Sequence, residues 1–531
     1  MSNSNNKKMK KIINAVILVS SLFLVSCRND LLEPYTPGSL EEEEALTTSN
    51  DISLVMNSAY LLLTDRTESV FASVFTDEVG IGYANGGQGI TTEYIFFMNS
   101  GQSSPIRLWN ETYFALARIN RVLSYVDKIT PVNTTDARRI ANLKAQALTV
   151  RAYCHLKLMS YFSTNLKDEN APAAVLANRV FLLEEKQNPR ATNGEFYSFI
   201  HEDLNNAISI FTNNSIAFVN IYANINFARG LKARAFAYKG DYTNAEIWAD
   251  TVITSSGLTL ATQDEYRKLF FNDTQPENSE VIFKFKRTNN QNSQANNLHN
   301  GWCSIRPNLA GSPFYEVGRS LHNLLNPNNL RDSLIRTLPD VRANVIIAPS
   351  SVVDPNYATS PDYRNSDRLI INKHGGVESG TQTAATTANN GFNNDIKVMR
   401  LSEMYMIKAE ARTAAGDLAG AALAVKTLLD ARFSTPQMVP AFTNATQAWR
   451  EILKQRRIEF AYEGYRYIDL KRLGTLAGVG IDRDPADYSS SSANYPAGNP
   501  SNLPMSSYKW TLPIPQDEIN VNKVIQQNPG Y

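Results

Sequence analysis

Apolar residues recur at helical spacing along three stretches of the first half of the chain. Trp109, Tyr113, Leu116, Ile119 and Val122 form one face, Leu143, Ala147, Val150, Cys154 and Leu158 a second, and Phe196, Ile200, Leu204 and Ile208 a third. Ser39 followed by Glu42 fits a capping box, and the run Glu41 to Glu44 places carboxylates at the positive end of a helix continuing to about Leu63. An internal repeat aligns Ala233, Ala235, Gly240, Asp241, Ala245 and Ile253 with Ala409, Ala411, Gly416, Asp417, Ala421 and Leu429. Small residues let two helices approach closely and Gly-Asp turns the corner, which is the requirement of a tetratricopeptide-type hairpin. The copies lie far apart in sequence, so a continuous solenoid is not expected. Between them, from about Ser255 to Asn394, the helical period fails and only Val281 to Lys286 and Leu369 to Asn372 read as strands. A second irregular stretch, VGIGYANGGQG, spans Val79 to Gly89. Insertions into a repeat scaffold emerge on one face, often the binding face.

The N-terminus reads differently. KKMKK at positions 7 to 11 precedes an apolar run over 12 to 26, too short to span a bilayer comfortably and the right length for the core of an export signal. It ends in Leu24, Val25, Ser26 and Cys27, which looks like a bacterial lipobox. The expectation is a signal peptide over 1–26, lipid attachment at Cys27, a tether over 27–38 and one globular unit over 39–531. The tether, with Pro34, Pro37 and Gly38, reaches at most roughly 40 Å at about 3.3 Å per residue.

Charge and composition narrow the chemistry. The chain has 531 residues, with 52 Lys plus Arg against 51 Asp plus Glu, so bulk charge gives no reason to expect nucleic-acid binding. Three Cys exclude a disulfide framework, and five scattered His leave little material for a metal site. Cys154 and Cys303 are an even pair in an oxidising compartment, and whether they meet is open from sequence. Gly80, Gly82 and Gly86 miss the dinucleotide-loop spacing, and no G-x-S-x-G, G-K-[ST] or H-E-x-x-H occurs. No catalytic residue and no cofactor are expected. QRRIEFAYEGYRYIDLKRLG (455–474) sets Arg456, Arg457, Glu459, Glu463, Arg466, Asp469 and Arg472 among apolar residues. Arg456 with Glu459 and Asp469 with Arg472 are three apart, which predicts a buried ion-pair network rather than a reactive site.

These residues bring out a resemblance. IKVMRLSEMYMIKAEARTAAGDLAGA (396–421), QRRIEFAYEGYRYIDLKRLG and the C-terminal LPIPQDEINVNKVIQQNPGY resemble the SusD/RagB family of outer-membrane lipoproteins from Bacteroidetes. WNETYFALARIN (109–120), AQALTVRAYCHLKL (145–158) and NSEVIFKF (278–285) add weaker support. The resemblance implies a mainly α fold, with tetratricopeptide-like hairpins packed against an irregular, loop-rich ligand-binding half carrying a few short strands. The helical repeats are expected over about 39–254 and 395–474, the irregular insertion over 255–394 and the family's C-terminal block over 508–531. It further implies a lipid-anchored protein facing the cell exterior, lying over a SusC-like TonB-dependent transporter and passing glycan to it without turnover. A RagB-like oligopeptide receptor and a transporter-docking scaffold without its own ligand are the alternatives. Cys27 is followed by Arg28, Asn29 and Asp30 rather than by the acidic run common in surface-exported lipoproteins, so exterior exposure rests on the family.

In the family the site draws on one early segment and one in the central insertion. Trp109, Trp248, Trp449 and Trp510 are expected in the core, whereas Trp302 lies in an Asn- and Gly-rich stretch with Arg306 and Tyr315 beside it. The early loop offers Asp77, Tyr83 and Asn85. Aromatic faces that stack on sugar C–H surfaces, together with amides, carboxylates and guanidiniums that bond hydroxyls, make these six the candidate ligand contacts.

Overall fold

The computed structural model describes residues 42–82, 93–182, 185–271, 279–287, 315–349, 351–360, 366–373, 394–487 and 500–531. The chain divides into a unit of residues 1–47 and a second of 48–531. In the first, the described structure includes a single turn of helix, Glu42–Ala45. The second opens with α1 (Ser49–Leu62), whose capping box is Thr48 with Asp51: the Thr48 N–H donates to Asp51 Oδ2 at 2.8 Å, and the Thr48 hydroxyl accepts from the Asp51 N–H. The single helix expected from Ser39 to Leu63 is therefore broken at residues 46–48. Thr48 must be extended to make its cap, and that ends the preceding turn.

Helices α2 (Thr67–Phe75), α3 (Ser103–Tyr125), α4 (Thr134–Phe162), α5 (Asn193–Asn213), α6 (Ile225–Lys239) and α7 (Tyr242–Ser255) follow. From α3 to α7 each packs on the next. After the central region come α11 (Leu401–Ala414), α12 (Leu418–Arg432), α13 (Ala445–Glu459) and α14 (Arg466–Ala477). The repeat is realised as the hairpins α6/α7 and α11/α12, with matching corners. Gly240 (φ 85°) and Gly416 (φ 79°) adopt the left-handed conformation. The Asp241 N–H bonds the Phe236 carbonyl as the Asp417 N–H bonds that of Arg412, and each Asp caps the following helix.

Separation in sequence did not keep the copies apart. α7 packs directly on α11, joined by ion pairs Lys408–Asp250 (2.8 Å) and Arg412–Glu246, so residues between 256 and 400 leave and rejoin a stacked scaffold. That region is less irregular than its pattern predicts. It contains α8 (Gln263–Phe271), α9 (Arg319–Leu325) and α10 (Val341–Ile346), each too short to show a period. Tyr266, Leu269 and Phe270 of α8 pack with Val341 and Val345 of α10 and with Val281.

Strand β2 (Val281–Phe285), expected from its pattern, pairs antiparallel with β4 (Ile396–Arg400), which the pattern did not single out. β1 (Val79–Ile81) pairs antiparallel with β3 (Tyr315–Val317). Leu369 to Asn372 forms isolated bridges, Ile347 with Ile371 nearby, rather than a ladder. Trp109, Trp449 and Trp510 are buried, whereas Trp248 is half-buried under the Lys232 ammonium, 4.0 Å from its ring centre. Among the described residues no helix is long and apolar enough to cross a membrane.

Candidate functional site: the stem of two loops

The β1–β3 ladder sets Val79 opposite Val317 and Ile81 opposite Tyr315. The chain running on towards Tyr83 and Asn85 and the chain arriving from Trp302 and Arg306 are thus joined at one end of a two-strand stem. Those four residues, and Cys27, lie outside the described residues. The stem is fixed from below by a cluster of Val79, Ile81, Tyr94, Tyr315 and Val317 with Ile458 and Tyr462. Gly318, following β3, permits the contact with β1: a Cβ there would lie 2.9 Å from the Asp77 carbonyl oxygen. Its N–H donates to the Glu78 carbonyl at 2.9 Å.

The structure takes Asp77 and Tyr315 into the interior. Tyr315 is buried with its ring 6.4 Å from that of Tyr94. Asp77 is fully buried and accepts from Arg466 Nε (2.8 Å) and Nη2 (2.7 Å) and from the Asp482 N–H (2.9 Å), with Arg457 Nε at 3.4 Å. Burial works to raise its pKa, but the Arg457 and Arg466 guanidiniums outweigh it and hold the carboxyl well below the usual range. Asp77 therefore braces the stem, and a buried carboxylate with both oxygens occupied has no group left to offer a ligand.

Its neighbour Glu78 behaves oppositely. Glu78 is fully buried and accepts from the Ser73 hydroxyl (2.6 Å) and the Tyr462 N–H (3.2 Å), while Oε1 has no hydrogen-bond partner among the described residues. Burial, only partly offset by those bonds, pushes its carboxyl up to about 7.

The expected ion-pair network in 455–474 exists: the Asp469–Arg472 pair forms as its spacing predicts, whereas Arg456 and Glu459 take other partners. Arg456 pairs with Asp469 (2.7 Å) rather than Glu459, and Arg472 joins Asp469 (3.1 Å) and Glu410 (3.0 Å). Glu459 instead holds Arg400 (2.5 Å) and Arg432 (2.9 Å), which both also hold Glu280. Glu463 completes the group, holding Arg400 and Lys373. Lone Glu280, Arg400 and Arg432 gave no local signal. The surplus of arginines in 455–474 over carboxylates did imply that acidic partners must come from elsewhere. Cys154 is a buried free thiol, pushed up to about 12 by burial, which makes it unreactive. Among the described residues no cluster of His, Cys, Asp and Glu could hold a metal ion.

Comparison with known proteins adds to this geometry. Residues 350–531 match a family model described as the SusD family, and residues 42–235 match one described as starch-binding associating with outer membrane. The SusD-like protein P38 of Formosa agariphila is 24% identical over 515 residues, covering 90% of this chain and 95% of that protein. A SusD superfamily protein from Bacteroides thetaiotaomicron superposes with a TM-score of 0.71 at 20% identity, covering 91% of this chain and 100% of that one. A putative sugar binding protein from Bacteroides vulgatus gives 0.70 at 22% identity, with coverage of 92% and 99%. A laminarin binding SusD-like protein gives 0.62 at 20% identity, with coverage of 91% and 100%.

Proposed function

The chain belongs to the SusD/RagB family, and from that premise we propose that it is a glycan receptor of the outer membrane that captures oligosaccharide or polysaccharide and delivers it to a SusC-like TonB-dependent transporter. Cys27 carries the lipid, the residues after it form the tether, and the folded unit faces the cell exterior. The protein binds its ligand without turnover. The observation that carries this reading is the β1–β3 stem, which joins the loop bearing Tyr83 and Asn85 to the insertion bearing Trp302 and Arg306. The aromatic rings stack on sugar faces, while Asn85 and Arg306 bond ring hydroxyls. The family description as starch-binding and the laminarin binding neighbour point to the same ligand class. Asp77 and Tyr315 support these loops from the interior.

Native electrophoresis of residues 28–531 through gels containing laminarin, starch, xylan or pectin tests the proposal. One polysaccharide class should retard the protein, Trp302→Ala should remove the retardation, and no product should be released on long incubation. Migration unaffected by any polysaccharide, with tight binding of a peptide digest, would move the protein to the oligopeptide-receptor reading.

A further inference from the structure

Behind the stem lies an open cleft of about 400 Å³ between α13, α14 and residues 479–482, with Leu324 of α9 on one wall. Four cationic side chains line it: Arg450, Lys454, Arg457 and Arg466. The one acidic side chain in its lining is Asp482. We propose that this cleft is an anion-selective subsite that takes the carboxylate or sulfate ester of an acidic saccharide unit.

The charge accounting locates the positive surplus. Arg466 is matched by Asp77 beneath the cleft (2.7 Å), Arg457 by Asp482 (3.2 Å) and Lys454 by Glu451 (2.5 Å). Among the described residues, Arg450 has no carboxylate partner. It is exposed and uses Nε on the Ala477 carbonyl (3.2 Å), which leaves the planar end of the guanidinium for an oxyanion. Deeper in the cleft, Arg466 is buried and its Nη1 finds no acceptor among the described residues. A buried N–H without a partner is costly, and an acceptor entering the cleft relieves it. Ile481 and half-exposed Leu324 supply an aliphatic wall for the C–H face of a sugar.

Position ties the cleft to the loops. Leu324 lies on α9, which directly follows β3, and Ser320 of α9 accepts from Arg457 Nη2 at 2.6 Å. An acidic glycan held by the loops could extend into the cleft, so the inference rests on the glycan reading in taking the anion to be part of a saccharide.

The test is calorimetric titration of residues 28–531 with three disaccharides of equal size, one bearing a uronate, one a sulfate ester and one neutral, alongside sodium sulfate alone. The probes are run on the native chain, on Arg450→Gln/Lys454→Gln and on Trp302→Ala. Both changes in the double variant lie at solvent-accessible positions, and an unchanged denaturation midpoint confirms its fold. At least one acidic probe should bind about ten-fold more tightly than the neutral one, with affinity falling as salt rises. The double variant should abolish that preference, and Trp302→Ala should preserve it while weakening all three sugars. The relative strength of the uronate and sulfate arms identifies the acidic group. Equal binding of acidic and neutral probes, or a preference that survives the double variant, overturns the subsite and leaves glycan capture standing. Sodium sulfate binding as tightly as the acidic sugars overturns it as well, because the cleft is then only a small-ion site. If polysaccharides fail to bind while the uronate probe binds in an Arg450/Lys454-dependent way, the loop reading fails and the subsite stands.

Discussion

Two charged interiors in this protein are built from the same residue types and behave differently. Around Glu459, every carboxylate faces a guanidinium or ammonium: Glu280, Glu459 and Glu463 hold Arg400, Arg432 and Lys373 between β4 and the helices. Burial works to raise the Glu459 pKa, but Arg432 and Arg400 outweigh it and hold the carboxyl well below its usual range. Under the loop stem the matching is incomplete. Asp77 has its two arginines, Glu78 faces a hydroxyl and a backbone N–H, and Arg466 keeps one N–H without an acceptor among the described residues. A closed network can only fix packing, whereas an incomplete one can still take up a proton or an anion.

Glu459→Ala should have the largest effect. It leaves two buried guanidiniums short of charge, and unfolding free energy by chemical denaturation should fall by about 3–5 kcal/mol. Asp77→Ala should cost less, about 3 kcal/mol, because Arg457 retains Asp482 and only Arg466 loses the one carboxylate that lies at salt-bridge distance among the described residues. A cost for Asp77→Ala above that for Glu459→Ala would invert the comparison.

Glu78→Gln sharpens it through pH. The folded carboxyl titrates near 7 against an ordinary 4.5, so the folded state holds the proton more tightly. Its contribution is fully present below pH 4.5 and is lost as pH rises through 7, a span of roughly 3 kcal/mol. The amide mimics the protonated acid, so the variant should be the more stable protein at pH 8 by roughly 3 kcal/mol and equal to the native chain at pH 4. Parallel stability curves for the two proteins between pH 4 and 8 would mean that Glu78 does not titrate in the fold. The smallest effect belongs to the scaffold: Gly416→Ala meets no atom within 4 Å, yet φ is 79°, so a purely conformational cost of about 1 kcal/mol should appear in the denaturation midpoint.

The hairpin repeat was legible because its requirements are local. An alanine contact, a left-handed glycine and a capping aspartate fall within a dozen residues, and both copies fold as their sequences predict. That the copies touch was not legible, since nothing in 225–255 or 401–432 reports what leaves the scaffold between them. Of the candidate site residues, the inward placement of Asp77 and Tyr315 was not legible. Pairing of Ile81 with Tyr315 agrees with an early loop and a central insertion meeting. Asp77 looked like a loop carboxylate because its partners, Arg457 and Arg466, stand at the other end of the chain, and Tyr315 looked like a loop aromatic although it begins a buried strand. Ion pairing between distant segments leaves no period and no spacing to read.

The most direct test of the account is a double-mutant cycle on ligand affinity, measured calorimetrically with the polysaccharide that retards the protein, across Tyr83→Ala, Trp302→Ala and the two combined. If the stem joins the two loops into one site, each single change should weaken binding about ten-fold or more, and the combined loss should fall short of the product of the two. Unchanged affinity in both single variants would contradict a glycan site built on these loops.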